Sequence, residues 1–168
     1  MKPVLLSFAS LILLAQPSNI NYVMVCGAHL TIGMQQATAL RQVRSACDAK
    51  LAAPRTPSSQ AEMWDLWELS PNRQAGHLIF DGSKKLINAD RSRVETTDSQ
   101  ELVEAFYFAA KDFAVEGHTA CSLGTRQFEH PQISGQVVVL TCGGKELLVS
   151  SDRFSKGIHS EGVAEHLF

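Results

Sequence analysis

The stretch Val137-Val-Val-Leu-Thr-Cys-Gly-Gly-Lys-Glu-Leu-Leu-Val-Ser150 decides the fold. Its central Gly143-Gly144 stands between two apolar runs, a pattern typical of a two-residue hairpin turn. Such a turn pairs Leu140 with Leu147 and Val138 with Val149. The stretch therefore predicts two neighbouring antiparallel strands.

A third strand precedes this hairpin. If Cys121 faces Cys142, then Phe128 faces Gly135, and the residues Glu129–Ser134 between them form a loop that contains Pro131. The two cysteines would then lie side by side on neighbouring strands, close enough for a disulfide. We therefore predict a Cys121–Cys142 bond, whose closed loop could contribute roughly 3 kcal/mol to stability.

The two registers agree on which sheet face is buried. The predicted core face contains Cys121, Leu123, Val138, Leu140, Cys142, Leu147 and Val149. The opposite face contains Ser122, Gly124, Arg126, Thr141, Glu146 and Ser150 together with Val137, Val139 and Leu148, and we expect it to face solvent because antiparallel sheets commonly have one wet side.

The N-terminal region reads as a targeting segment. Lys2 precedes an apolar run of twelve residues from Val4 to Ala15, which is within the length of a signal-peptide core and shorter than a membrane span. Residues 1–28 are therefore interpreted as a signal peptide or an uncleaved N-terminal membrane anchor, and residues 29–168 as a single α+β domain. Cleavage could fall after Ala15, after Ser18, or near Gly27 and Ala28.

Export makes the other two cysteines informative, because disulfides persist in oxidising compartments. If Cys26 survives processing, it can pair with Cys47. If it is removed, Cys47 is expected to be a buried free thiol.

Two helices are predicted. Ala37, Leu40, Val43 and Cys47 recur at helical spacing and indicate a helix of about three turns. A longer helix has the apolar stripe Leu102, Phe106, Ala109 and Phe113, is capped by Thr97 or Asp98, and ends at Gly117.

The segment between the helices is predicted to be extended. Trp64 and Trp67 lie on a short strand, three residues apart, so their side chains point to opposite faces and one could form a binding platform. Asp81-Gly82 predicts a tight hairpin between Gly76–Phe80 and Lys85–Ala89.

Charge and motifs exclude several classes of function. A net charge of −2 without a basic block argues against nucleic-acid binding. The six histidines show no metal-binding spacing, and no phosphate-binding loop, dinucleotide fingerprint or serine-nucleophile elbow is present. We therefore predict no catalytic, cofactor-binding or metal-binding residues and no cofactor.

The order of these pieces resembles a group of small bacterial envelope proteins. The run Leu30-Thr-Ile-Gly-Met34, the helix after it and the hairpin Gly76-His-Leu-Ile-Phe-Asp-Gly82 resemble the small lipoproteins of outer-membrane assembly, the β-lactamase-inhibitor-protein-like fold and exported bacterial proteins of unknown function. The resemblance spans about residues 30–150. It implies a non-catalytic envelope protein, and no catalytic residues come with it.

The sequence thus predicts an α+β fold in which an antiparallel meander of about five strands packs against two helices. The expected function is a non-catalytic exported module, periplasmic or membrane-tethered, that binds another envelope protein and meets the membrane only through its N-terminal segment. The candidate partner-binding residues are Trp64, Trp67, Arg126, His130 and Ile133.

Two alternatives stay open. An inhibitor of a secreted enzyme would present the loop Glu129–Ser134 with Ile133 as its anchor. An enzyme with an unrecognised site would use His77, Asp81 or His118.

Overall fold

A computed structural model describes residues 22–52, 61–115, 121–155, 157 and 159–168. The elements are β1 (Tyr22–Val25), β2 (Ala28–Thr31), α1 (Gln36–Val43), β3 (Cys47–Ala52), β4 (Glu62–Glu68), β5 (Gln74–Phe80), β6 (Leu86–Thr96), α2 (Ser99–Val115), β7 (Cys121–His130), β8 (Ile133–Cys142), β9 (Lys145–Phe154) and β10 (His159–Leu167).

The described part of the chain is mostly β. Eight strands form one sheet in the order β3-β4-β5-β6-β10-β9-β8-β7, and β1 with β2 forms a separate two-stranded ribbon. Every neighbouring pair in the large sheet is antiparallel. The predicted α+β fold with a meander of about five strands is therefore wrong, because the sheet has eight strands, two of which, β3 and β10, were not predicted.

The large sheet consists of two units with the same element order. In the first, α1 is followed by β3, β4, β5 and β6, and in the second, α2 is followed by β7, β8, β9 and β10. Each set of four strands pairs consecutively, and the two sets meet through their last strands, β6 and β10. A β-bulge at this junction adds Arg93 to β6 between the pairs Val163–Val94 and Ala164–Ser92.

One face of the sheet is covered by the helices and the β1–β2 ribbon, and we call it the helix face. At one end the ribbon and α1 bury a cluster that includes Val23, Leu30, Val43, Leu78 and Phe80. At the other end α2 places Ala109 and Phe113 against Cys142, Leu147 and Val163. Burial of these side chains supplies the main driving force for the fold.

The β1–β2 ribbon includes residues that the leader interpretation assigned to residues 1–28. Val23, Val25 and Ala28 are buried in the first core cluster, and the turn between the strands has positive φ at Cys26 and Gly27. Tyr22–Ala28 thus belong to the folded domain. Residues 1–21, with the apolar run, lie outside the described residues, so the leader itself stays a prediction.

The structure contains two disulfides, Cys26–Cys47 and Cys121–Cys142. The first joins the ribbon turn to the start of β3, and the second joins neighbouring residues of β7 and β8. The predicted strand register is confirmed, because Cys121 lies opposite Cys142, Phe128 opposite Gly135 and Leu140 opposite Leu147.

Both helix predictions need correction in detail. Helix α1 ends at Val43, and Cys47 begins β3 instead of completing a third helical turn. In α2, Asp98 accepts the backbone N–H of Gln100 at 2.8 Å and caps the helix, while Phe106 is exposed and Ala105 and Ala110 pack on the core instead. The end predicted at Gly117 lies outside the described residues.

Two turns also differ from expectation. Pairing of β7 with β8 continues to His130 and Ile133, so the predicted loop Glu129–Ser134 shrinks to a two-residue turn. In the β5–β6 hairpin the positive φ falls on Lys84 and not on Gly82. There Asp81 Oδ1 accepts the backbone N–H groups of Ser83 and Lys85 and holds a longer turn.

The predicted core face of the meander is only partly buried. Leu140, Cys142, Leu147 and Val149 pack in the core with α2, but Leu123 is 75% exposed and Val138 is 44% exposed. Helix α2 contacts β6, β10 and β9. We therefore attribute the exposure of these two residues to their place beyond the strands that α2 covers.

Candidate functional site

The face of the large sheet opposite the helices is the candidate functional site. In the described part of the chain, the ribbon and both helices bury their apolar side chains on the helix face alone. The other side, which we call the open face, carries one side chain from every second residue of eight strands. Most of these side chains are partly or fully exposed, whereas Val139 and Glu146 are buried.

A single line of paired residues crosses the open face. Each member lies directly opposite the next on the neighbouring strand, and the line touches all eight strands of the sheet. We call it the cross-sheet row, and its members in spatial order are Lys50, Asp65, His77, Asp90, His166, Glu146, Thr141 and Ser122.

The two histidines of the row have the same kind of environment. His77 Nδ1 lies 2.6 Å from Asp65 Oδ1, and its Nε2 lies 2.9 Å from Gln74 Nε2. His166 Nδ1 lies 3.1 Å from Asp90 Oδ1, and its Nε2 lies 2.5 Å from Asn88 Nδ2. Each ring in its neutral form, protonated at Nδ1, donates to the carboxylate and accepts from the amide.

Asp90 occupies the centre of the row between both histidines. Burial raises the pKa of Asp90, and the charged forms of His166 and His77 act against that rise. Its register partners are His77 on β5 and His166 on β10. Asp90 thus couples the two units of the sheet at their junction.

Glu146 on β9 is held in place by hydrogen bonds from two neighbouring strands. Its carboxylate accepts two hydrogen bonds from Arg126, at 2.5 and 3.1 Å, and a third from Thr141 at 3.1 Å. Burial acts to raise the pKa of Glu146, but the bonds from Arg126 and Thr141 outweigh it and leave the pKa below its ordinary value. The carboxylate is therefore held ionised and fixed in orientation.

The structure divides the predicted partner-binding residues between locations. Trp67 and Arg126 lie on the open face, and Lys50 Nζ lies 5.7 Å from the Trp67 ring centroid. Trp64 lies on the helix face and packs against the first core cluster. The register places His130 and Ile133 opposite each other at the β7–β8 turn, far along the sheet from Trp67.

The residues considered for catalysis do not meet. His77 is in the cross-sheet row, whereas Asp81 holds the β5–β6 turn, where backbone N–H groups of Lys85 and Ser83 and the Ser83 hydroxyl lower its pKa. His118 lies outside the described residues.

The chemistry of the row is that of a pre-arranged polar surface. An Asp–His pair activates a nucleophile when the remaining ring nitrogen faces a hydroxyl or thiol. In both pairs described here that nitrogen faces an amide of Asn88 or Gln74. Within the described residues no three His, Cys, Asp or Glu side chains group as a metal site requires.

Neither helix in the described ranges is both long enough and apolar enough to span a membrane. No protein-family model, curated protein or solved structure matches this chain.

Sequence reasoning missed most of the row. Asp65, Asp90, Glu146 and His166 come from four different strands, and no local motif connects them. The available signal was an apolar residue directly beside each of them, as in Ala89-Asp90 and His166-Leu167. That signal marks a strand but does not identify its neighbour in the sheet.

Proposed function

We propose that this chain is a non-catalytic exported module that binds another protein of the cell envelope through the open face of its eight-stranded sheet. The cross-sheet row is the observation that supports this proposal. The inhibitor alternative has less support, since the expected loop Glu129–Ser134 is reduced to a tight turn in which Ile133 belongs to β8.

The row favours binding because its side chains are already fixed. His77, Asp65, Asp90 and His166 are each between a quarter and a third exposed, so a partner can reach them, and their mutual hydrogen bonds hold them in place. A surface whose side chains are ordered before contact loses less conformational entropy on association. The mixture of acids, imidazoles and amides provides both donors and acceptors for a protein partner.

Aromatic and aliphatic side chains on the same face would supply the apolar contacts. Trp67 flanks the row at the β4 end, and Phe168 lies with its ring 5.6 Å from that of His166. Tryptophan is enriched among residues that dominate binding energy at interfaces. Trp67 is therefore the residue whose removal we expect to weaken binding most.

An extracytoplasmic location fits the two disulfides. Both bonds tie structural elements together, and such bonds are characteristic of oxidising compartments. The apolar run before Ala15 would deliver the chain there, either as a removed signal peptide or as a retained anchor.

Site-specific photocrosslinking tests the proposal. A photoreactive phenylalanine analogue is placed at Trp67 on the open face or at Tyr107, which is exposed on α2, and intact cells are irradiated before the envelope fraction is separated. We expect a discrete crosslinked protein from position 67 and none from position 107. The same adduct from both positions, or from position 107 alone, would contradict the proposal.

A matched pair of alanine variants completes the experiment. Trp67→Ala is expected to weaken capture of the crosslinked partner by about tenfold or more, as removal of an interface hot spot does, and Tyr107→Ala is expected to leave it unchanged. Equal capture by both variants would show that the open face is not the interface.

A further inference from the structure

A second feature lies on the opposite side of the sheet, in a cleft of about 290 Å³. It is bounded by the β1–β2 turn, by the β4–β5 connection, by β6 and by α2. Its polar lining consists mainly of Arg73, Arg91 and Arg93, and its apolar lining includes Met24 and Phe108. The open-face proposal uses none of these residues.

The bulge in β6 concentrates the positive charge there. Because Arg93 is the extra residue, Arg93 and Val94 both face the helices, where Arg93 reaches Asp112 of α2 and Val94 packs on the second core cluster. Arg91 lies on the same face, opposite Glu165. Bulges commonly redirect side chains in this way beside functional sites.

Two of the three arginines already have carboxylate partners. Arg73 Nε lies 2.5 Å from Glu68 Oε2, and Arg93 binds both Asp112 and Glu165. Arg91 forms no hydrogen bond with any residue in the described ranges, and the nearest carboxylate oxygen, on Glu165, is 3.9 Å away. Its N–H donors thus have no hydrogen-bond partner among the described residues and can bind an acceptor in the cleft.

Arg91 is also partly buried. Its side chain is 32% exposed, and burial lowers the pKa of Arg91, with the neighbouring charge of Arg93 lowering it further. A half-buried guanidinium without a hydrogen-bond partner gains a charge-assisted hydrogen bond when an acceptor binds beside it. An anion would provide the acceptor and reduce the repulsion between Arg91 and Arg93.

The charged side chains around the cleft favour binding of an anion. In the lining of the cleft itself the cations Arg73, Arg91 and Arg93 face one anion, Glu68. Arg93 is also paired with Asp112 and Glu165 outside the cleft, so Arg91 is the cation that an added anion would neutralise. Met24 and Phe108 at the same cleft would contact an apolar group attached to the anion.

We propose that this cleft binds a small amphiphilic oxyanion, a phosphate monoester or a carboxylate, whose head group pairs with the guanidinium of Arg91 and whose apolar part lies against Met24 and Phe108. The planar fork of arginine matches two oxygens of either head group. This proposal does not depend on the proposal for the open face.

Calorimetric titration of the disulfide-bonded protein with four probes tests the site: octyl phosphate, octanoate, inorganic phosphate and the neutral octanol. We expect octyl phosphate or octanoate to bind and octanol not to bind. Inorganic phosphate that binds as tightly as octyl phosphate would assign the site to the free anion and overturn the amphiphilic part of the proposal. Octanol that binds as tightly as octyl phosphate would overturn the proposal entirely.

Two variants locate the binding. Arg91→Met keeps an apolar side chain of similar length but removes the N–H donors. It should lower the affinity for octyl phosphate by about tenfold or more. Arg44→Met removes an exposed arginine at the end of α1 and should leave the affinity unchanged. Unaltered binding by Arg91→Met, or failure of every probe to bind the parent protein, would overturn the proposal.

Stability measured without probe separates binding from folding. Since Arg91 makes no hydrogen bond within the described residues, the melting temperature of Arg91→Met should equal or exceed that of the parent protein. A large fall would show that Arg91 has a structural role instead.

Discussion

At the scale of single residues, the most consequential group is the buried carboxylate of Glu165. It is 2% exposed, bonds Arg93, and lies 3.2 Å from Lys145 Nζ, which is also 2% exposed. An ionised group buried to this extent is tolerated only when its partners neutralise it. The cluster therefore stabilises the fold as a unit and not as separate pairs.

Glu165→Gln should lower the free energy of unfolding by about 3–5 kcal/mol, because Lys145 and Arg93 lose their shared counter-charge inside the protein. Asp112→Asn is the matched control, since Asp112 also pairs with Arg93 but is 53% exposed, and it should cost less than about 1 kcal/mol. Urea unfolding with the disulfides intact measures both. If Glu165→Gln lowered the free energy of unfolding by no more than Asp112→Asn does, the role of the cluster would be refuted.

The lowered pKa of Glu146 leads to a prediction about how the stability of the protein depends on pH. Its pKa lies below the ordinary value, so it contributes stability above the pKa of the unfolded chain, about 4.3, and that contribution is lost as the pH falls through the lower folded-state pKa. Arg126→Ala should therefore destabilise the protein at neutral pH and have little effect in acid. The neutral-pH loss is expected near 1 kcal/mol, because Arg126 is 62% exposed and solvent screens its charge.

Thermal unfolding of both proteins between pH 7 and pH 3 measures this difference. A gap between parent and variant that grows toward acid would contradict the assignment.

At the scale of elements, the two disulfides make a comparison possible. Each closes the same length of chain, with a sequence separation of 21 residues. In the chain-entropy treatment each should contribute roughly 3 kcal/mol, regardless of where it lies. Replacing either pair by alanine should thus lower the unfolding free energy by similar amounts.

Hydrogen exchange would show which strands lose stability when each disulfide is removed. Without Cys121–Cys142, amides of the edge strand β7 should exchange faster, and without Cys26–Cys47 those of β1 and β2 should do so. If loss of either bond raised exchange evenly over the whole sheet, the bonds would not act locally.

The sequence predicted the elements whose signals are local. Gly143-Gly144 and the facing cysteines determined the register of β7, β8 and β9, and the apolar spacing after Asp98 indicated α2. Strand β10 escaped notice because Glu165 takes a core position between Val163 and Leu167, which interrupts the apolar alternation that marks a strand. The ribbon was missed because its valines were assigned to the predicted apolar leader.

The candidate site was less predictable than the fold. The pairing of β6 with β10 brings Asp90 opposite His166, residues far apart along the chain, and no local pattern specifies which strands become neighbours. Of the row, His77 was considered as a candidate site residue, and Ser122, Thr141 and Glu146 were placed together on the predicted solvent face. The partners of His77 became visible only with the strand order.

At the scale of the whole molecule, the position of the ribbon limits where a leader peptide could be cleaved. Val23, Val25 and Cys26 contribute to the core and to a disulfide, so a mature protein that began near Ala28 would lose both. We expect the exported chain to retain Tyr22, with cleavage after Ala15 or Ser18 or no cleavage at all.

The intact mass of the protein, measured with and without reduction and alkylation, gives the first residue of the mature chain and the number of cysteines in disulfides. Alkylation of all four cysteines only after reduction would agree with both disulfides. A mass that corresponds to a chain starting at Ala28 or later would show that the ribbon is dispensable.

The seam between β6 and β10 has one more consequence. If these strands slipped by two residues, each side chain would keep its face, but His166 would lie opposite Asn88 or Ser92 and lose Asp90 as its neighbour. Apolar contacts alone tolerate such a shift more easily than a directional bond does. The hydrogen bond between His166 and Asp90 thus favours the observed register of β6 and β10 over registers shifted by two residues when the two halves of the sheet pair.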